Sequence, residues 1–157
     1  MIVKINKGRH SFFKLPRLFF KRNIELKFTL IGDFSYNTDD ITNQSDTNKI
    51  FGISDAIYHR NNSIRIGFRY YKDKLELVGY YYNNRIHYTE KISNIKENTN
   101  YNIKINILDK NYQIIFDDKS YLYPRTSKWS FIRYLLFPYF GGQESAKKDL
   151  VFKLEWK

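Results

Sequence analysis

The chain has no cysteine, so disulfides and thiolate metal sites are closed to it and no redox compartment is implied. Only seven glycines and three prolines occur in 157 residues, and no internal repeat, heptad or low-complexity linker breaks the sequence, which fits one domain on length alone. No segment is long and apolar enough to cross a bilayer. The N-terminal stretch spreads charges among its apolar residues and lacks the uninterrupted apolar core of a signal peptide; the expectation is a chain that is cytoplasmic at synthesis, with a virion as a further destination. Acid is missing from the whole of this stretch: the first acidic residue is Glu25.

Aromatic residues are abundant, with 14 Tyr and 13 Phe, residues that suit a pleated, half-buried surface. Strict alternation recurs. Ile24, Leu26, Phe28 and Leu30 share one face of a segment; Ile64, Ile66, Phe68 and Tyr70 share another, against Arg65, Gly67 and Arg69. Leu75, Leu77 and Gly79 alternate with Glu76, Val78 and Tyr80, and Ile103, Ile105 and Ile107 with Lys104 and Asn106. Leu150, Phe152, Leu154 and Trp156 close the chain in the same way. This is the pattern of half-buried antiparallel strands. Turn chemistry separates them: Asn83-Asn84 is read as a tight positive-φ hairpin, and Asp73, Asp109 to Asn111 and Asp117-Asp118 mark others. Gly32 to Asn48 reads as a polar loop, and Tyr123 to Arg133 as an irregular segment with a short helical turn. Many short strands without helical periods predict an all-β, single-domain antiparallel β-sandwich. Its expected core is Ile66, Phe68, Ile103, Ile105, Ile114, Phe116, Phe152 and Leu154.

The block Asn98 to Tyr121, in which Tyr101 opens a strand, Tyr112 and Phe116 face inward and Asp117-Asp118 close a turn, resembles the strand, hairpin, strand signature of concanavalin A-like and laminin G-like jelly rolls. In such sandwiches the last strand returns beside the first. "PYFGGQES" followed by "DLVFKLEW" is similar to that return, with Gly141 and Gly142 supplying a positive φ or a close approach and Tyr139 and Phe140 packing the sheets. Together with Lys49 to Arg69 this part of the chain also looks similar to uncharacterised sandwich proteins of gut Bacteroidota and their phages.

Catalytic signatures are sparse. The E-x-D-x-x-E pair of glycoside hydrolases on this fold is absent, and retaining chemistry needs two paired carboxylates. Ser11, Ser54 and Ser63 lack a nucleophile context. His10, His59 and His87 have no metal-ligand spacing, and His59 reads as a polar-loop residue. Alternation places Arg65, Arg69, Tyr80, Tyr82, Arg85 and His87 on an outer sheet face, with Gly67 and Gly79 leaving room for a sugar ring. Such a face suits a lectin that stacks sugars on aromatic rings. It also holds the residue types of a polysaccharide lyase, a Tyr or His base and an Arg to neutralise the acid. The R-x-E and Q-x-H signatures of alginate lyases are missing. Asp33, Asp39, Asp40 and Asp46 crowd one loop and are the candidates for calcium, although their order is not that of a known calcium loop. No other cofactor is indicated.

The net charge of +11 favours an anionic partner. Lys4, Lys7, Arg9, Lys14, Arg17, Lys21 and Arg22, interleaved with Phe12, Phe13, Phe19 and Phe20, make residues 1–22 a basic, aromatic-rich arm. It is expected to be ordered, as edge strands or against a neighbouring subunit, and to act as an interaction arm before a nucleic-acid site. The reading that follows is a non-enzymatic binding or structural sandwich, of a phage particle or surface assembly, whose partners are protein subunits or an acidic glycan. Lectin and acidic-polysaccharide lyase are the alternatives.

Overall fold

The computed structural model describes residues 1–12, 14, 15, 17–126 and 133–157. Two six-stranded antiparallel sheets pack face to face. Sheet A has the order β1 (Ile2–Ile5), β12 (Leu150–Trp156), β3 (Asn23–Ile31), β8 (Tyr101–Ile107), β9 (Asn111–Phe116), β10 (Lys119–Pro124). Sheet B has the order β2 (Arg17–Leu18), β11 (Tyr134–Leu136), β4 (Asn48–Ser54), β5 (Asn62–Tyr71), β6 (Lys74–Asn83), β7 (Ile86–Asn94). The last strand lies between β1 and β3, as the jelly-roll return requires.

Period-2 alternation sets which side chains meet between the sheets. Ile66, Phe68, Ile103, Ile105, Ile114, Phe152 and Leu154 are buried there, while Phe116 is half-buried at the margin against Tyr101. Phe34 packs edge-on against both Phe68 and Phe152, with centroids 5.2 Å apart in each case. Aromatic pairs of this kind add about 0.5–1.5 kcal/mol beyond the area they bury.

Three expectations need correcting. Gly32 to Asn48 is not simply polar loop: Phe34 and Tyr36 enter the core, and a 3-10 turn occupies Ile41–Ser45. The β6–β7 hairpin turns one residue later than expected, on Asn84 and Arg85 with φ of 49° and 68°, because β6 continues to Asn83. Tyr139 is not a core residue: Phe140 is buried against Tyr36, but Tyr139 faces outward and stacks on His10. Both glycines of the return are used. Gly142 has a φ of +78°, and a side chain on Gly141 would strike the Thr47 carbonyl. Of the segment Tyr123 to Arg133, expected to hold a short helical turn, residues 127–132 lie outside the described residues, as does Phe13 of the arm.

The arm forms edge strands of both sheets. β1 pairs with β12 and β2 with β11, and Ser11 bridges to Tyr139 between them. Several of its cations have partners within the sandwich. Lys4 pairs with Asp149 at 2.6 Å and Arg22 with Asp109 at 3.1 Å; Lys14 lies 3.9 Å over the Phe137 ring and Arg17 lies over Trp156. The side chains of Lys7, Arg9 and Lys21 are exposed. Among the described residues, no helix is long and apolar enough to cross a membrane.

Candidate functional site

The outer face of sheet B carries two ranks of side chains, aligned across neighbouring strands by the strand register. One runs Leu136, Gly52, Arg65, Tyr80, Thr89; the next runs Tyr134, Ser54, Ser63, Tyr82, His87. The rings interlock. Tyr80 stacks on His87 at 5.6 Å and meets Tyr82 edge-on at 5.5 Å, and His59, from the loop after β4, packs against Tyr82 at 5.9 Å.

Arg65 lies at the centre of the first rank and is only 8 % exposed. Among the described residues no side chain or carbonyl bonds its guanidinium, and its Nε is buried without a partner. Gly52 gives it passage: a Cβ there would lie 2.8 Å from Arg65 Cγ and would strike the Ile64 carbonyl. Arg65 also lines a cleft of about 250 Å³ together with Ser11, Phe12, Lys14, Tyr134 and Tyr139. Gly52→Ala is expected to cost about 1–3 kcal/mol, as overpacking does, and to displace Arg65. A thermal melt together with a titration against an acidic glycan checks both parts.

The local field is positive. Burial pushes Lys49 down to about 8, assisted by the charge of Arg65. Burial, then Arg65, Arg60 and Lys49, push His59 down to about 4, which keeps its imidazole neutral at physiological pH. Burial raises the Tyr80 hydroxyl, so it stays protonated. A desolvated cation with no acid bonded to it among the described residues can receive a single anionic group, and aromatic rings beside it offer flat surfaces for a sugar.

The structure thus brings Arg65, Tyr80, Tyr82 and His87 together. Arg69 is on the same face but is committed, at 2.7 Å, to Glu76, which Lys91 also holds. Arg85 is in the hairpin turn, 3.4 Å from Asn61, outside the cluster. The two glycines expected to make room for a ring do not: a Cβ on Gly67 would meet Thr47 and Val78, and one on Gly79 would meet the Tyr123 ring inside the sandwich. Lys49, Gly52, His59 and Tyr139 border the site; sequence reasoning assigns His59 to a polar loop and Tyr139 to sheet packing, and no role to the side chains of Lys49 and Gly52.

The acidic loop does not converge. Asp33 pairs with Lys148, Asp39 with Lys147, Asp40 caps the 3-10 turn through Thr42, and Asp46 lies against Gly142. Among the described residues no three His, Asp or Glu side chains are placed to hold a metal ion. A larger depression of about 950 Å³ lies on sheet A, but its Glu25 is already paired with Lys104 and Lys157.

No protein-family model matches the chain, and no curated protein does. Solved structures do match. Alginate lyase AlyC3 superposes with a TM-score of 0.65 at 12% identity, over 99% of this chain and 74% of that one. LamAcat from Zobellia galactanivorans gives 0.61 at 11%, over 99% and 74%, and a functionally unknown protein from Saccharomyces cerevisiae gives 0.56 at 10%, over 99% and 86%. At these identities the likeness establishes the fold, a jelly-roll β-sandwich of the concanavalin-like kind.

Proposed function

We propose that the outer face of sheet B binds an acidic glycan, with Arg65 receiving a carboxylate and Tyr80, Tyr82 and His87 stacking against the sugar. The observation that carries this reading is the buried guanidinium of Arg65 with no protein acid bonded to it among the described residues. Burying a charge costs several kcal/mol when nothing pairs it, and an incoming carboxylate supplies the planar, two-pronged acceptor that guanidinium geometry fits. Alginate lyase AlyC3 has also been solved in complex with dimannuronate, which lends the fold precedent for an acidic sugar. A non-enzymatic module of this kind suits a phage particle or a bacterial surface apparatus, the setting suggested by the resemblance of the sequence.

One arrangement favours a second reading. Tyr80 stands opposite Arg65 across the β5–β6 pair and packs against Tyr82 and His87, residue types that can serve as base and acid in an elimination next to a uronate carboxyl. In that step a base removes the C5 proton, the C4–O bond breaks, the leaving oxygen is protonated, and a C4=C5 double bond remains.

Affinity electrophoresis and calorimetry against alginate, pectate, hyaluronan, heparin and a neutral β-glucan test both. The expected result is binding to polyanions only, weakened by salt and lost in Tyr80→Ala, with no rise in ultraviolet absorbance. New absorbance that disappears in His87→Ala establishes the lyase reading. Equal binding to the neutral glucan removes the proposed role of Arg65.

A further inference from the structure

Lys49 is the point at which the alternation of β4 fails. In an unbroken strand it would share a face with Phe51 and Ile53, both fully buried. Instead the register shifts between Lys49 and Phe51, and the extra residue, Ile50, turns the lysine onto the outer face, opposite Gly67. Bulges re-aim side chains in this way beside functional sites. The amine is then buried 4.5 Å from the Tyr80 centroid and 5.9 Å from that of Tyr139, and donates to the Thr47 carbonyl at 2.6 Å. Gly141 keeps the place open, since a Cβ there would strike Lys49 Nζ. A backbone bridge between Lys49 and Tyr139 fixes the strand at this point. Like Arg65, this second buried cation forms no ion pair with a carboxylate among the described residues.

We propose that Lys49 is a second contact for the anion that Arg65 binds, that it serves only while protonated, and that ligand affinity therefore falls in alkali. The inference rests on the reading of this face as an acidic-glycan site. The groups that face the amine are Arg65 from β5, Tyr80 from β6, Tyr139 from the segment after β11 and Asp46 from the preceding loop, with His59 nearby. Burial and the charge of Arg65 bring Lys49 down to about 8, and Asp46 acts in the opposite sense.

A bound anion favours the ammonium, so the complex holds the proton to higher pH than the free protein does, and affinity declines as pH rises through the free value. Arg65 stays charged throughout, as a guanidinium does. At pH 9 about one free molecule in eleven retains the Lys49 proton, so the apparent Kd is expected to rise about tenfold between pH 7 and pH 9.

Calorimetry with tetramannuronate and a heparin hexasaccharide as probes, from pH 6 to 9.5, tests this. Repeating the titration at pH 8.5 in buffers of different ionisation enthalpy should reveal uptake of about 0.8 proton per ligand bound. Lys49→Met should weaken binding at pH 7 and flatten the profile, while Lys49→Arg should bind without the alkaline loss. A flat wild-type profile with no proton uptake overturns the role of Lys49 and leaves the glycan site standing. So does an unchanged profile in folded Lys49→Met. Failure of both probes to bind wild type at any pH overturns the glycan reading itself, and this inference with it.

Discussion

Arg65→Met is expected to melt at a higher temperature than wild type while losing acidic-glycan binding. Most buried cations behave oppositely, because removing one partner of an ion pair strands the other. Arg65 strands nothing: no carboxylate of the described residues is bonded to it, and its Nε is buried unsatisfied. Its stem crosses Gly52 and lies beside Tyr80, where a thioether of similar length keeps the apolar contacts. Relief of the desolvated charge should contribute about 1–3 kcal/mol, or roughly 2–12 °C at 2–4 °C per kcal/mol for a domain of this size. Binding should fall at least about 30-fold, since truncating one side of a desolvated charge pair costs about 2–5 kcal/mol. Paired thermal melts and titrations settle it. A fall in melting temperature would mean that Arg65 supports the sandwich, and the case for a ligand would lose its main observation. Active sites show this opposition of stability and function because a group poised for a ligand is unsatisfied without it.

Alternation made the sandwich legible. Ile64, Ile66 and Phe68 point inward and Arg65 and Arg69 outward because a strand has a period of two, and nothing in β5 interrupts it. The turn at Asp117 and Asp118, with φ of 51° and 59°, was readable for the same local reason, since short acidic side chains tolerate the left-handed region. Alternation is silent where the backbone departs from it. The bulge at Lys49 moves a lysine from a core line to the outer face, and the only signal was the anomaly of a lysine in phase with Phe51 and Ile53. Glycines were misjudged because an absent side chain does not say which neighbour fills its place: Gly67 and Gly79 are covered, while Gly52, which the charge pattern gave no reason to notice, opens the way for Arg65. The pairing of Arg69 with Glu76 was present in the strand register, yet needed the β6 partner strand to be seen. Pairing of the basic arm was less accessible still, because Asp149 and Asp109 lie far along the chain from Lys4 and Arg22.

Asp55→Ala is expected to lower the melting temperature by roughly 6–20 °C, the loss that follows when a buried ion pair is broken in a domain of this size. Asp55 is fully buried in the loop after β4 and receives the Tyr112 hydroxyl and the Arg125 Nε. Tyr112 belongs to β9, and Arg125 follows β10, so one carboxylate joins a sheet B loop to the far strands of sheet A. Arg125 is further held by the carbonyls of Leu108 and Asp109, at 3.3 and 3.0 Å. Burial, then the negative charge of Asp55, push the Tyr112 hydroxyl well above its ordinary range, so it acts as a proton donor at any pH the fold survives. Truncating Asp55 leaves an almost fully buried guanidinium and a phenol without their acceptor. Breaking such a pair costs about 3–5 kcal/mol, a large share of the roughly 5–15 kcal/mol that holds a typical domain together. Asp55→Asn retains an acceptor and should fall between the two. The double variant Asp55→Leu with Arg125→Met removes both charges and should recover most of the loss. A cycle of melts over these variants measures the coupling directly, and single losses that merely add in the double variant would show that the pair does not act as a unit. Arg125 and Arg65 are thus opposites within one sandwich. The first is a cation held by a carboxylate and two carbonyls, whose removal should loosen the fold, and the second is a cation with no acid bonded to it among the described residues, whose removal should tighten it.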